Sequence, residues 1–307
     1  MTSSTTTSAN TRDWLLIFIL ALIWGGSFLF GRILMLEWPP FTVVFLRVFI
    51  AAIALWGFIV ITRGKVSIPL QLVSALVVMA ILNNVIPFSL ILIGQQEIGS
   101  GLASVVNAMT PIWTLIIANF FTTDEKFSSL KLAGIICGFI GVAVLIGADL
   151  VQGLSASAWA QAAILGATIS YGFATVWGKR FKGTDPIIIA TGQLTASSLI
   201  MLPIVFLTED PLNLSAPTME MIVSVLGLSV LCSAIAYILF FKILESAGAT
   251  NLSLVTFVIP PSAIFFGFMF LDETLDYEDV IGVLMIAAGL ALIDGRIVRV
   301  FSSKKTS

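Results

Sequence analysis

From Trp14 to Gly31 not one side chain carries a charge, and apolar runs of similar length recur to the end of the chain. A bilayer core about 30 Å thick is crossed by a helix of roughly 20 apolar residues, so these runs read as transmembrane helices. After the first come Phe41 to Ile61, Leu70 to Ile93, Leu102 to Phe121 and Leu130 to Ala148, then Ala158 to Gly178, Pro186 to Leu207, Met219 to Lys242, Asn251 to Leu271 and Tyr277 to Ile297. Polar or turn-forming breaks separate them: Pro39-Pro40, Gly64-Lys65, Gly99-Ser100-Gly101, Asp124-Glu125-Lys126, Lys182 to Pro186 and Glu209-Asp210-Pro211. A transmembrane barrel needs alternating apolar and polar residues, which the runs lack. The expected fold class is therefore all-α, an integral membrane protein of ten transmembrane helices.

Composition bears on what surrounds the chain. Its 307 residues are 58% hydrophobic, 10% charged and free of histidine, whereas soluble domains carry roughly 25% charged residues. Most of the surface must face hydrocarbon.

The few cations decide orientation, because basic loop residues are retained on the cytoplasmic side. A cytoplasmic N-terminus places Arg12, Arg63, Lys65, Lys126, Lys131, Lys179, Arg180, Lys182, Lys242, Arg296, Arg299, Lys304 and Lys305 inside and Arg32 alone outside. Glu37, Asp149, Glu209, Asp210, Glu220, Asp272, Glu273 and Asp276 then collect on the outer side. The expected location is a bacterial-type plasma (inner) membrane, crossed many times, with both termini cytoplasmic. The first run is longer than a typical signal core and no small-x-small site follows it, so it reads as a retained helix. Cys137 and Cys232 fall inside spans five and eight and read as packing residues.

The two halves of the chain repeat one another. Trp24-Gly25-Gly26-Ser27-Phe28-Leu29-Phe30-Gly31-Arg32 in span one matches Tyr171-Gly172-Phe173-Ala174-Thr175-Val176-Trp177-Gly178-Lys179 in span six. Pro40 with Arg47 echoes Pro186 with Gln193, Ser104 to Pro111 echoes Ser253 to Pro260, and Glu125 with Gly134 echoes Glu273 with Gly282. Four matches in one order, at nearly constant offset, make two copies of a five-helix unit. Five is odd, so the copies are inverted in the membrane. Secondary transporters are commonly built this way, with substrate held at the midplane between the repeats. The expected organisation is a polar cytoplasmic tail at 1–13, a first repeat at 14–148, an outer linker at 149–157, a second repeat at 158–297 and a basic tail at 298–307.

On the span-one Trp24 to Phe28 element, the Pro40 to Arg47 stretch, and the prolines of spans four and nine followed by Glu125 or Glu273 and a glycine-rich helix, the sequence resembles the drug/metabolite transporter superfamily. Within it the chain looks like the EamA-like ten-helix exporters, nearest to the aromatic amino-acid exporter branch. The resemblance covers Trp14 to about Asp294. It implies a basket-shaped bundle whose central cavity is lined by spans one, three, four, six, eight and nine.

Polar residues inside apolar spans are the candidate site, since a polar group in hydrocarbon is costly unless it faces the interior. Thr168, Tyr171 and Thr175 share one face of helix six, and Ser229, Ser233 and Tyr237 one face of helix eight. Asn83 and Asn84 lie mid-span in helix three. Trp24, Ser27 and Phe28 add an aromatic and hydroxyl corner, and Asn107, Thr110 and Thr256 flank the prolines. Pro111 and Pro260, with Pro261 beside it, each remove a backbone donor in mid-membrane and mark kinks or hinges, whose freed carbonyls Ser253, Thr256, Asn107 and Thr110 are placed to satisfy. Arg47 is the single charge well inside a span, with snorkelling and contact with a carboxylate ligand both open. Trp14, Trp38, Trp56, Trp159 and Trp177 sit near span ends, where indoles favour the membrane interface. The glycines of helices five and ten read as close packing, within the bundle or between protomers.

The sequence shows no Walker-type run, no metal cluster and no serine and histidine pair, so no enzymatic activity, cofactor or metal is expected. The expected function is secondary transport, exporting small metabolites, neutral or aromatic amino acids foremost, by alternating access. No acid lies in the middle of any span, which points to facilitated diffusion. Multidrug or lipophilic-cation export is the alternative, and a channel-like pore a second. The expected partners are a small-molecule substrate and the lipid bilayer, with no nucleic acid, the protein being a monomer or a weak homo-oligomer.

Overall fold

The computed structural model describes residues 11–64, 68–121, 128–150, 156–252 and 254–294, and within them every regular element is helical. Ser253, Glu125 and most of both tails lie outside the described residues. Span one is Thr11–Met35, span two Pro40–Arg63, span three residues 70–95, span four residues 100–121 and span five Ser129–Leu150. The second half follows as Ala156–Gly178, Pro186–Thr208, residues 219–252, Val255–Leu271 and Tyr277–Asp294. Six of these are 22 to 29 residues long and apolar enough to cross a bilayer.

Local signals set the ends. Pro40 and Pro186 open spans two and seven, where a missing N–H costs nothing. Asp185 caps span seven by accepting from Ile187 N at 2.9 Å, and Thr218 caps span eight by accepting from Met221 N at 3.3 Å. Span nine stops at Asp272, which adopts the left-handed conformation at φ 53°. Three elements depart from the sequence expectation. Span one starts at Thr11, with Asp13 buried in its first turn and accepting from Ser246 Oγ at 2.8 Å. Span eight runs past Lys242 to Leu252, its polar last turns forming a helix beyond the apolar run. Spans three and eight are also not uniform α-helices, since Ile81–Val85 and Gly227–Ile235 are wound as π-helix. These two segments occupy repeat-related positions.

Helix packing repeats the sequence relation. Span one packs on nine as six packs on four, one on eight as six on three, and two on eight as seven on three. Spans two and seven, four and nine, and five and ten each pair with their own equivalent. That arrangement is a two-fold relation between the halves. The repeated glycines serve it. A Cβ at Gly25 would collide with Ser262 of span nine, and one at Gly172 would stand 3.2 Å from Thr114 N of span four. Spans five and ten meet backbone to backbone, for a Cβ at Gly134 would lie 2.6 Å from the Gly289 carbonyl oxygen and one at Gly141 2.9 Å from that of Gly282. These glycines therefore pack within the bundle, which settles the alternative left open by the sequence.

One end of the bundle carries the acidic loops and is tied by backbone contacts. Glu209 accepts from Phe41 N at 2.9 Å and from Thr42 N at 2.7 Å, while Glu273 accepts from Ser100 N at 2.7 Å, Ser100 Oγ at 2.8 Å and Gly101 N at 3.1 Å. Each carboxylate completes orphan N–H groups at a helix start. Arg32 donates to the carbonyls of Gln95 and Gln96, joining spans one and three. At the opposite, basic end Arg63 pairs with Asp185, linking spans two and seven.

Candidate functional site

Polar side chains of five spans converge where the halves meet. Arg47 of span two is 9% exposed, so it does not snorkel to an interface. Its Nε donates to Ser233 Oγ of span eight at 3.0 Å, and its guanidinium carbon stands 3.6 Å from the centroid of the Phe88 ring in span three. Arg63 with Asp185 is the one ion pair among the described residues, so Arg47 has no carboxylate partner there. A buried cation is costly unless paired. Ring face and hydroxyl offset part of that cost, and the terminal guanidinium N–H groups make no hydrogen bond within the described residues.

Beside it lies a closed amide and hydroxyl network. Asn83 Nδ2 donates to Gln193 Oε1 at 3.1 Å and to the Tyr237 hydroxyl at 3.0 Å. The Tyr237 hydroxyl donates to Asn84 Oδ1 at 3.3 Å, and Asn84 Nδ2 donates to Ser197 Oγ at 3.0 Å. Ser170 Oγ holds the π-turn itself, donating to the Leu82 carbonyl at 2.7 Å. π-Helical turns inside α-helices are frequent at functional sites, and here each turn supplies the residues that reach the other half. Tyr171 packs between the two apolar cores of the molecule. Tyr237 stands one helical turn past Ser233, the residue Arg47 reaches, which joins the network to the cation.

Of the sequence candidates, Asn83, Asn84, Ser233, Tyr237, Tyr171 and Arg47 come together. Ser229 is buried next to them but bonds to the Val225 carbonyl at 2.7 Å, and Thr168 bonds likewise to Leu165 at 2.7 Å. Thr175 departs from the expected inward face. It is exposed, one turn past Tyr171, whose carbonyl its hydroxyl binds at 2.9 Å. In span one, Ser27 bonds the Trp24 carbonyl at 2.6 Å, Trp24 stands 5.8 Å from the Phe240 ring and Phe28 is core. Thr256 is half-buried in span nine.

The two proline positions differ. Span four is interrupted at Ala108 and Met109, just before Pro111, and Thr110 Oγ1 donates to the Asn107 carbonyl at 2.8 Å in place of the missing proline N–H. Asn107 Oδ1 and Trp113 Nε1, on either side of the break, are buried without a partner. Pro260 and Pro261 instead stand inside a helix that continues through them, the first buried and the second exposed, so no break accompanies them.

The end-of-span tryptophans also divide. Trp14 and Trp159 are exposed as expected of interface indoles, whereas Trp38, Trp56 and Trp177 donate to the Ser215 carbonyl, Thr195 Oγ1 and the Ala75 carbonyl. Gln193 and Ser197 were not among the sequence candidates. Gln193 was signalled by its match to Arg47, while Ser197 resembles many serines that merely bond back to their own helix. A cleft of about 360 Å³ at the acidic end is lined by Arg32, Glu273 and Asp279, but the Arg32 and Glu273 side chains there are already engaged in the ties described above. No cluster of metal-ligating side chains occurs among the described residues.

The profile of the EamA-like transporter family matches residues 13–147 and 158–294. The chain belongs to the EamA-like transporter family. It is similar over most of its length to uncharacterised transporters: YoaV of Bacillus subtilis, 26% identical over 89% of this chain and 94% of that protein, and YvbV of the same organism, 28% identical over 93% and 92%. The uncharacterised inner membrane transporter YedA of Escherichia coli is 25% identical over 90% of this chain and 89% of its own length. A crystal structure covering 93% of this chain and 98% of its own aligns with TM-score 0.66 at 16% identity, which bears on the fold alone. This EamA-like protein is thus a multi-pass membrane transporter of ten-helix fold.

Proposed function

We propose that this EamA-like transporter exports small zwitterionic metabolites, neutral or aromatic amino acids foremost, by alternating access and facilitated diffusion, with Arg47 receiving the substrate carboxylate. In this reading both termini are cytoplasmic and the protein sits in the plasma membrane. One observation carries it: a buried guanidinium with free N–H groups, set among tyrosines and amides, without a carboxylate of its own. Arginine presents planar paired donors that match a carboxylate. The same cation disfavours lipophilic cations, the alternative cargo, because bringing like charges together in a desolvated site is costly. Proteoliposomes preloaded with unlabelled amino acid are expected to take up labelled phenylalanine by saturable counterflow. Competition by lipophilic cations and not by any amino acid would replace this reading with multidrug export.

A further inference from the structure

Arg47 and Gln193 are repeat equivalents, and each reaches across to a π-segment of the other half. Arg47 reaches from span two to Ser233 in the π-segment of span eight and lies over the ring of Phe88 in span three. Gln193 reaches from span seven to Asn83 in the π-segment of span three, whose amide also donates to the Tyr237 hydroxyl of span eight. At the offset that relates Pro111 to Pro260, Asn84 corresponds to Ser233 and Phe88 to Tyr237. Each half therefore offers one long side chain that reaches a polar π-segment of the other half, with an aromatic residue close by. Both long side chains are buried, at 9% and 2% exposure. The two positions differ in charge, since one carries a cation and the other an amide.

We infer that Gln193 marks a second cation position of a two-fold cage, and that the choice of glutamine there makes the site selective for ligands with one carboxylate, bound one way round. The inference rests on the carboxylate role of Arg47 proposed above and adds what decides specificity. A guanidinium at 193 would find the Asn83 amide and the Tyr237 hydroxyl, as Arg47 finds Ser233 and Phe88. Two cations in the cage would repel unless two carboxylates met them, so the native glutamine excludes dicarboxylates by leaving the second carboxylate buried and unpaired.

The test uses the full chain in proteoliposomes, with labelled phenylalanine counterflow and phenylsuccinate as the dicarboxylate competitor. Arg47→Gln is expected to lower counterflow on the order of tenfold or more. Adding Gln193→Arg to it is expected to restore the rate to within about threefold of the native protein, since the cation returns to an equivalent position. Gln193→Arg alone is expected to shift preference toward phenylsuccinate by about tenfold. Each variant is checked for a monodisperse peak and native melting temperature, and Gln193→Lys provides a slimmer cation. A folded double variant that stays as inactive as Arg47→Gln would overturn the inference while leaving the role of Arg47 intact. Failure of both Gln193→Arg and Gln193→Lys to fold would overturn it as well, because an equivalent position must accept a cation. Native counterflow in Arg47→Gln would overturn the inference together with the functional reading beneath it.

Discussion

A single hydroxyl repairs the break in span four. Thr110 Oγ1 takes the Asn107 carbonyl at 2.8 Å where Pro111 has no N–H to give, and a lost hydrogen bond inside a membrane protein costs about 0.6 kcal/mol on average and up to about 1.7. Thr110→Val is therefore expected to lower unfolding free energy by about 1 kcal/mol in detergent or bilayer, while Thr110→Ser stays near native. Equal stabilities for the two variants would show the bond to be irrelevant. At this scale the sequence was readable where a polar side chain stood out against hydrocarbon, as Arg47, Asn83, Asn84 and Tyr237 do. It was misleading at Thr175, because helical spacing places a residue on a face but the face turns outward one turn later. Ser197 was invisible for another reason: serine is tolerated in apolar helices by bonding to its own backbone, as Ser197 also does with the Gln193 carbonyl at 2.7 Å.

Among the elements, spans five and ten show how small residues govern packing. With a Cβ at Gly134 falling 2.6 Å from the Gly289 carbonyl oxygen, no side chain fits between the two backbones. Gly134→Leu is expected to force the helices apart at a cost of 1 kcal/mol or more, in the range of roughly 1 to 3 for overpacked cores. Thermal unfolding of the purified protein checks this, and an unchanged melting temperature would contradict the seam. Glycine spacing in the sequence announced close approach but not the partner, because both helices carry it and the pattern is silent about which surfaces meet. The π-segments of spans three and eight were equally silent. Their residues are ordinary helix formers for a membrane, and what marks them is structural: their side chains make the contacts with the opposite half.

For the whole molecule, the ten spans followed from the bilayer's demand for roughly 20 apolar residues per helix, and the halves from matched motifs. Energy coupling is a property at this scale. Among the described residues no acid lies mid-span, Glu97 is exposed, and Glu273 is engaged by three donors from Ser100 and Gly101. Liposomes holding equal substrate on both sides are expected to show no accumulation when a pH gradient is imposed. Uphill uptake abolished by a protonophore would refute facilitated diffusion. The same carboxylate has a mechanical side. Glu273 sits in a notch left by Gly99 and Gly267, where a Cβ at Gly99 would come within 2.8 Å of it, and it staples the start of span four to the loop between spans nine and ten. Eight residues later the helix is interrupted at Ala108 and Met109. Span four is thus a limb pinned at the hip and jointed at the knee: its far half has a place to bend that leaves the pinned half still.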